Sequence, residues 1–412
     1  MADSSAAEKR PAKKKNKKKI GKVPGLIYYP VFVVVSLIFR LRYGVRVHRG
    51  ALKGLRGPMI VLAPHLCNKD HVFTAMALWP RRATYVLSEH FRTTPLMRFV
   101  CGLVHAVTKK MFCPDTGAVL GIIRAVREGN PVVLFPEGRL TWYGRSLEVT
   151  EGTAELCKQL KVPVVCVTSD GAGRTFPKWA KFKRHGRIDV RTEILMTPEQ
   201  IESMSLEEVD ATIRRAVKHD EEKVQPGVKF RTKDTAAGLD GILWKCPSCG
   251  AEYTLKTEAN HVRCEHCDFD VILDEYGNFS EDENLAKNGI KTIADFYEFC
   301  ARSVDISEPV SMPVTVSGTN AEGYMTHGIG EGVFTVGKEG FCFVGKLDDA
   351  DVNFSIPLEK VAGFPITVGD HVDIYYNKRL LLMEPSPDRR KAIILVTYLE
   401  KLRKAEGLSK DI

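Results

Sequence analysis

The sequence predicts an α/β fold: a mixed sheet flanked by helices, then a cysteine-knuckle module, then a small β-rich domain with a C-terminal helix. Three observations carry this. Between residues 43 and 222, short apolar runs alternate with helical patterns, as in layered sheets and helices. Two Cys-x-x-Cys pairs follow, Cys246/Cys249 and Cys264/Cys267. From Val310 the residues alternate with the period of half-buried strands, until one amphipathic helix ends the pattern.

The 412 residues have room for two or three domains, and 44% hydrophobic with 27% charged content is ordinary for a globular chain. The net charge of +9 is uneven. Residues 1–24 hold nine Lys or Arg against Asp3 and Glu8, so most of the excess lies there. This tail has almost no large apolar side chains and is expected to be disordered. It is a solvated tail, a nucleic-acid contact, or a segment drawn to anionic lipid by about 1 kcal/mol per basic residue. Eleven cysteines, an odd number in a long chain, point to a reducing, cytoplasmic-side compartment. No secretory signal is visible.

Residues 25–39 are apolar-leaning, shorter than the ~20 needed to span a bilayer, and interrupted by Pro30. Tyr28 and Tyr29 at one end and Arg40 and Arg42 at the other suit a segment lying in one leaflet. A buried core helix is the other reading. Residues 43–49 read as an edge strand and 58–63 as a buried strand. Strands are further expected at 83–88, 131–135, 163–168 and 187–195. Helices are expected at 95–104, 117–127 and 153–160, with a charged surface helix over 206–222 closing the unit.

His65 follows the 58–63 strand, and Asp70 opens the next helix. In one continuous helix these side chains would diverge by about 140°, and a strand-to-helix turn removes that divergence. Neutral imidazole can take a proton from a hydroxyl, and a carboxylate on its other nitrogen fixes the tautomer. Cys67 is an alternative nucleophile. A second block, Phe135-Pro136-Glu137-Gly138-Arg139, leaves the 131–135 strand at a proline that cannot continue a ladder. It places a carboxylate and a guanidinium at the same sheet edge, and a guanidinium binds phosphate bidentately.

Together the two blocks resemble the glycerophospholipid, or lysophosphatidic acid, acyltransferase family, over roughly residues 25–220. That family carries a His-x4-Asp block and a downstream Phe-Pro-Glu-Gly block. Pro64 and Cys67 stand where the family usually has Asn and Ser. Residues 135–152, with Glu151-Gly152, look closest to the acyltransferase half of the 2-acylglycerophosphoethanolamine acyltransferases. The resemblance implies acyl transfer at a membrane surface from an acyl thioester, acyl-CoA or acyl carrier protein, to a lysophospholipid acceptor. His65 would be the base and Asp70 its orienting partner. Glu137, Gly138 and Arg139 would meet the acceptor, with Lys109 and Lys110 as further phosphate contacts. Lysophosphatidic acid is the first acceptor and lysophosphatidylethanolamine the second.

Fourteen residues separate the two cysteine pairs, a zinc-ribbon spacing. Four thiolates leave no open position, so the zinc is structural. His261 or His266 could replace one cysteine, and a redox pair is the other alternative. From Val310, strands are expected at 332–337, 340–345, 361–366, 372–376 and 380–383. Ser386 is expected to cap a helix begun by Pro387, with Ala392, Leu395, Val396, Leu399 and Leu402 as its apolar stripe. This pattern resembles the pleckstrin-homology-like fold.

The expected organisation is a basic tail (1–24), an acyltransferase domain with a membrane-contacting segment (25–225), a linker (226–240), a zinc ribbon (241–275), a linker helix (276–306) and a pleckstrin-homology-like domain (307–412). The expected location is the cytoplasmic face of a membrane, peripheral or monotopic. A non-catalytic lipid- or nucleic-acid-binding protein is the competing reading. The intact His65, Asp70, Glu137 and Arg139 set argues against it.

Overall fold

A computed structural model describes residues 24–110, 115–361 and 363–408. The basic tail expected to be disordered lies almost wholly outside them. The first sheet has seven strands: β1 (Val45–His48), β2 (Ile60–Leu62), β3 (Thr84–Ser88), β4 (Val107–Lys109), β5 (Val132–Leu134), β6 (Val164–Asp170) and β7 (Ile188–Met196). Their order is β1-β7-β6-β2-β5-β3-β4. β6, β2, β5, β3 and β4 run parallel, and β7 and β1 run against them. The parallel strands all end on one edge, so His65 after β2, Glu137 after β5 and Lys109 on β4 share it.

The helices of this half are α1 (Gly25–Tyr43), α2 (Asp70–Leu78), α3 (Pro95–Leu103), α4 (Thr116–Arg127), α5 (Thr153–Leu160), α6 (Ala172–Thr175), α7 (Pro198–Ser203), α8 (Leu206–Val217) and α9 (Glu221–Val224). Strand side chains alternate between faces. Met59, Val61 and Ala63 join Phe32, Phe73 and Met76 in the layer under α1 and α2. Ile60 and Leu62 join Ile122, Leu156 and Ile213 in the layer under α4, α5 and α8.

Pro30 does not interrupt α1, contrary to expectation. The helix runs unbroken for 19 residues, about 28 Å, with Pro30 inside it as the sixth residue, where it lacks the N–H that would reach the Leu26 carbonyl. It is long and apolar enough to cross a membrane, by length and composition. Tyr28 and Phe32 are buried, with Phe32 stacked on Trp79, while Leu26, Val34, Leu37 and Leu41 are exposed. The helix expected over 206–222 ends at Val217. Lys218 turns extended, and Asp220 caps the separate α9 through the N–H of Glu222.

Residues 226–240 are no free spacer: Phe230, Ala236 and Leu239 are fully buried. The next module is a three-stranded antiparallel sheet of β8 (Leu255–Glu258), β9 (His261–Cys264) and β10 (Asp270–Ile272). Helices α10 (Glu283–Lys287) and α11 (Ile293–Arg302) follow.

The last module is a seven-stranded antiparallel sheet of β11 (Val310–Thr319), β12 (Met325–Gly337), β13 (Gly340–Leu347), β14 (Ala350–Ile356), β15 (Ile366–Thr367), β16 (His371–Tyr376) and β17 (Arg379–Pro385). Its order is β14-β13-β12-β11-β17-β16-β15. β14 was not expected, and the strand expected at 361–366 shrinks to β15. Helix α12 (Ala392–Ala405) buries Ala392, Leu395, Val396, Leu399 and Leu402. The cap expected at Ser386 is displaced: Asp388 caps the turn before α12, accepting from the N–H of Arg390.

These modules do not have separate cores. Trp142, Leu147 and Trp179 share one buried cluster with Cys246, Phe296, Tyr297, Phe334 and Leu402. Burying each large apolar side chain stabilises by roughly 1.5–3 kcal/mol.

Candidate active site

β2 ends at Leu62, and the chain turns through Ala63-Pro64 to set His65 at the sheet edge. The imidazole Nδ1 lies 2.9 Å from Asp70 Oδ2. Asp70 is the first residue of α2, where the positive end of the helix dipole favours a carboxylate. It is 1% exposed. Oδ2 also accepts the N–H of Cys67 at 2.9 Å, and Oδ1 accepts the Cys67 thiol at 3.2 Å. An ionised carboxylate only accepts, so the proton is assigned to Nδ1 and the Nε2 lone pair is left for a substrate. The ring is stacked on Phe135, centroids 4.2 Å apart.

Glu137, also 1% exposed, turns inward. Its Oε1 accepts the N–H of His65 and its Oε2 the N–H of Leu147, each at 3.0 Å. The N–H of Thr141 donates to the carbonyl of His65 at 2.9 Å. The backbone of His65 is thus held at both its donor and its acceptor. Gly138 closes the turn with φ of +76°, a conformation that favours glycine, and its N–H reaches Phe135 O at 3.0 Å.

Burial pushes the Glu137 carboxyl up to about 8. The N–H groups of Leu147 and His65 oppose the rise, and Asp70 adds to it. Between about pH 4.5 and 8 the folded chain therefore holds a proton that the unfolded chain has released, so stability from this group falls as pH rises through that window. Glu137→Gln is expected to shrink the difference in Tm between about pH 5 and pH 8. Thermal melts at the two pH values check it, and an undiminished difference contradicts it.

Arg139 and the two lysines sit at the same edge, and Arg139 and Lys110 meet the C-terminal module. The Arg139 guanidinium pairs with Glu400 of α12, donates from Nη1 to Phe364 O at 3.2 Å, and lies 4.8 Å from the Trp142 ring centroid. Burial lowers it to about 10. A phosphate reaching Arg139 has to displace Glu400. Lys109 ends β4. Lys110 donates its N–H to Asp115 and places its ammonium 5.7 Å from the Tyr375 ring centroid. Arg98 of α3 donates to Glu322 O at 2.8 Å.

The four thiols Cys246, Cys249, Cys264 and Cys267 form a second centre, with all sulfurs within 4.8 Å of one another. Cys246 and Cys267 are 3.7 Å apart, and Cys249 and Cys264 are 3.8 Å apart. A tetrahedral zinc with bonds of about 2.3 Å puts its sulfurs about 3.8 Å apart, so the donor set and its size fit such an ion. His261 instead bonds Asp270 at 2.7 Å.

The family model described as Acyltransferase matches residues 44–170. The matched region, about a third of the chain, holds His65, Asp70, Lys109, Lys110, Glu137, Gly138 and Arg139. Among solved structures, the chain is similar to the 1-acyl-sn-glycerophosphate (LPA) acyltransferase PlsC from Thermotoga maritima. The likeness is 19% identical, covers 46% of this chain and 74% of that one, and has a TM-score of 0.39.

Sequence reasoning missed four parts of the acyltransferase-matched site and its surroundings: the backbone N–H of Leu147, the carbonyl of Phe364, the Glu400 carboxylate and Arg145. The first two are main-chain groups, which leave no mark on residue type. Glu400 lies on a helix whose apolar stripe was legible while its polar face carried no motif.

Proposed function

We propose that this chain moves an acyl group from an acyl thioester, acyl-CoA or acyl carrier protein, to the free hydroxyl of 1-acyl-glycerol-3-phosphate at a membrane surface. The observation that carries this reading is the 2.9 Å pairing of His65 Nδ1 with a buried carboxylate, inside the acyltransferase-matched region. His65 Nε2 takes the hydroxyl proton, and the oxygen attacks the thioester carbonyl. The C–S bond breaks, and the imidazolium returns the proton to the leaving thiolate. No covalent enzyme intermediate is required.

Lys109, Lys110 and Arg139 are the cations proposed for the acceptor phosphate, with Arg139 exchanging Glu400 for it. The exposed apolar side of α1 and the basic tail support membrane contact on the cytoplasmic face, peripheral or monotopic. Zinc in the four-cysteine site is structural, because four thiolates close its coordination. In the last sheet the first strand joins the last and one helix closes the module, which supports a pleckstrin-homology-like fold that takes lipid headgroups or peptides. The likeness of residues 135–152 to acylglycerophosphoethanolamine acyltransferases keeps lysophosphatidylethanolamine as the second acceptor.

Purified protein, a labelled acyl thioester and a panel of lysolipids test this. Transfer is expected to lysophosphatidic acid first. Glu400→Gln is expected to lower KM for the phosphate-bearing acceptor about threefold with kcat kept. Absence of transfer to every lysolipid overturns the reading, and salt-dependent DNA affinity in its place favours a nucleic-acid-binding protein.

A further inference from the structure

The loop from Glu137 to Leu147 faces two ways. Toward the sheet it holds His65, through Glu137 and through the N–H of Thr141. Away from the sheet it is fastened by Arg145. The Arg145 guanidinium reaches three carboxylates: Asp220 Oδ2 at 3.2 Å, Asp295 Oδ1 at 2.8 Å and Glu298 Oε1 at 2.5 Å. Asp295 and Glu298 belong to α11, outside the acyltransferase-matched region. The residues on either side are pinned as well. Gly144 O accepts the N–H of Glu221 at 2.9 Å, the Ser146 N–H donates to His219 O at 2.9 Å, and the His219 N–H donates to Ser146 Oγ at 2.9 Å. The next amide along is that of Leu147, which donates to Glu137.

We propose that Arg145 is a positioning residue for the His65 centre: by tying residues 144–147 to Asp220, Asp295 and Glu298, it keeps the Leu147 N–H on Glu137 and, through Glu137, the backbone of His65 in place. This rests on the reading of His65 as the base. One cation gathers three acids, so its removal leaves three like charges converging and drives α11 from the loop. A lysine there keeps the charge but lacks the fork that serves three partners. Neither Arg145 nor its carboxylates touch the reacting atoms.

The test compares Arg145→Met, Arg145→Lys and wild type by kcat, acceptor KM and amide hydrogen exchange. For Arg145→Met, kcat is expected to fall about tenfold with KM within about twofold, as displacement of a positioned group requires. The Leu147 amide exchanges about tenfold faster while β2 and β6 stay protected, and Arg145→Lys recovers part of each change. A folded Arg145→Met protein with unchanged Leu147 exchange overturns the proposal, as does an unchanged kcat or a loss carried by KM alone. If wild type transfers no acyl group, the His65 reading fails and the exchange measurement alone still decides for or against the tie. If Arg145→Met does not fold, Glu298→Gln, which removes one of three carboxylates, is read by the same criteria.

Discussion

His65→Ala lowers kcat by about 10²–10⁴-fold while leaving the fold intact. The magnitude follows from what the ring does. Its Nδ1 is committed to Asp70 at 2.9 Å, which in the proposed reaction leaves Nε2 to take the hydroxyl proton. Its backbone is held by Glu137 and Thr141, independently of the side chain. Alanine therefore removes the base without releasing the turn. Cys67→Ser is the companion variant and is expected to keep activity. The Cys67 thiol is fully buried, and burial and Asp70 push it far above its usual range, so it is no nucleophile. A serine hydroxyl can donate to Asp70 Oδ1 as the thiol does. Steady-state acyl transfer, with circular dichroism as a check on folding, reads both. A His65→Ala enzyme of normal turnover, or a Cys67→Ser enzyme without any, reverses the assignment of base and bystander.

Cys246→Ser, or chelation of a metal held by the four thiols, is expected to abolish the proposed acyl transfer although those thiols lie outside the acyltransferase-matched region. A structural zinc contributes roughly 10–16 kcal/mol in small modules. That is comparable to the roughly 5–15 kcal/mol by which a domain is stable. The loss does not stay local here, because Cys246 is buried in the same cluster as Trp142 and Leu147 on the loop that holds the His65 backbone. A large drop in Tm, exposure of Trp142 and Trp244 by fluorescence, and loss of turnover are expected together, with zinc content measured alongside. Full turnover and an unchanged melt after complete metal removal contradict it.

The parts of this chain legible in sequence were those whose cause is local. The strand after Asn130 follows from an apolar run bounded by proline at each end, and β5 lies there. The pairing of His65 with Asp70 follows from a five-residue turn between a strand and a helix. The four-cysteine site follows from thiol spacing. The parts not legible depend on residues far apart in the chain. Arg145 meets Asp295 and Glu298 across about 150 positions, and Arg139 meets Phe364 across 225. No periodicity encodes such distances. Arg139 shows the consequence: its motif suits phosphate, yet its partners are a helix and a loop that local reading placed in another domain. Pro30 erred the other way, since a proline inside a helix forfeits one i→i−4 bond and here that loss does not end α1.

The continuous cluster running from Trp142 to Leu402 has a practical meaning for anyone cutting or recombining this chain. A fragment stopping after α9 would bare Trp142, Leu147 and Trp179 to water, a sticky wound beside the turn that carries His65 and Asp70. Such a piece is expected to aggregate, so the first half cannot be traded as a cassette, and a foreign partner grafted to it must rebuild that wall residue by residue.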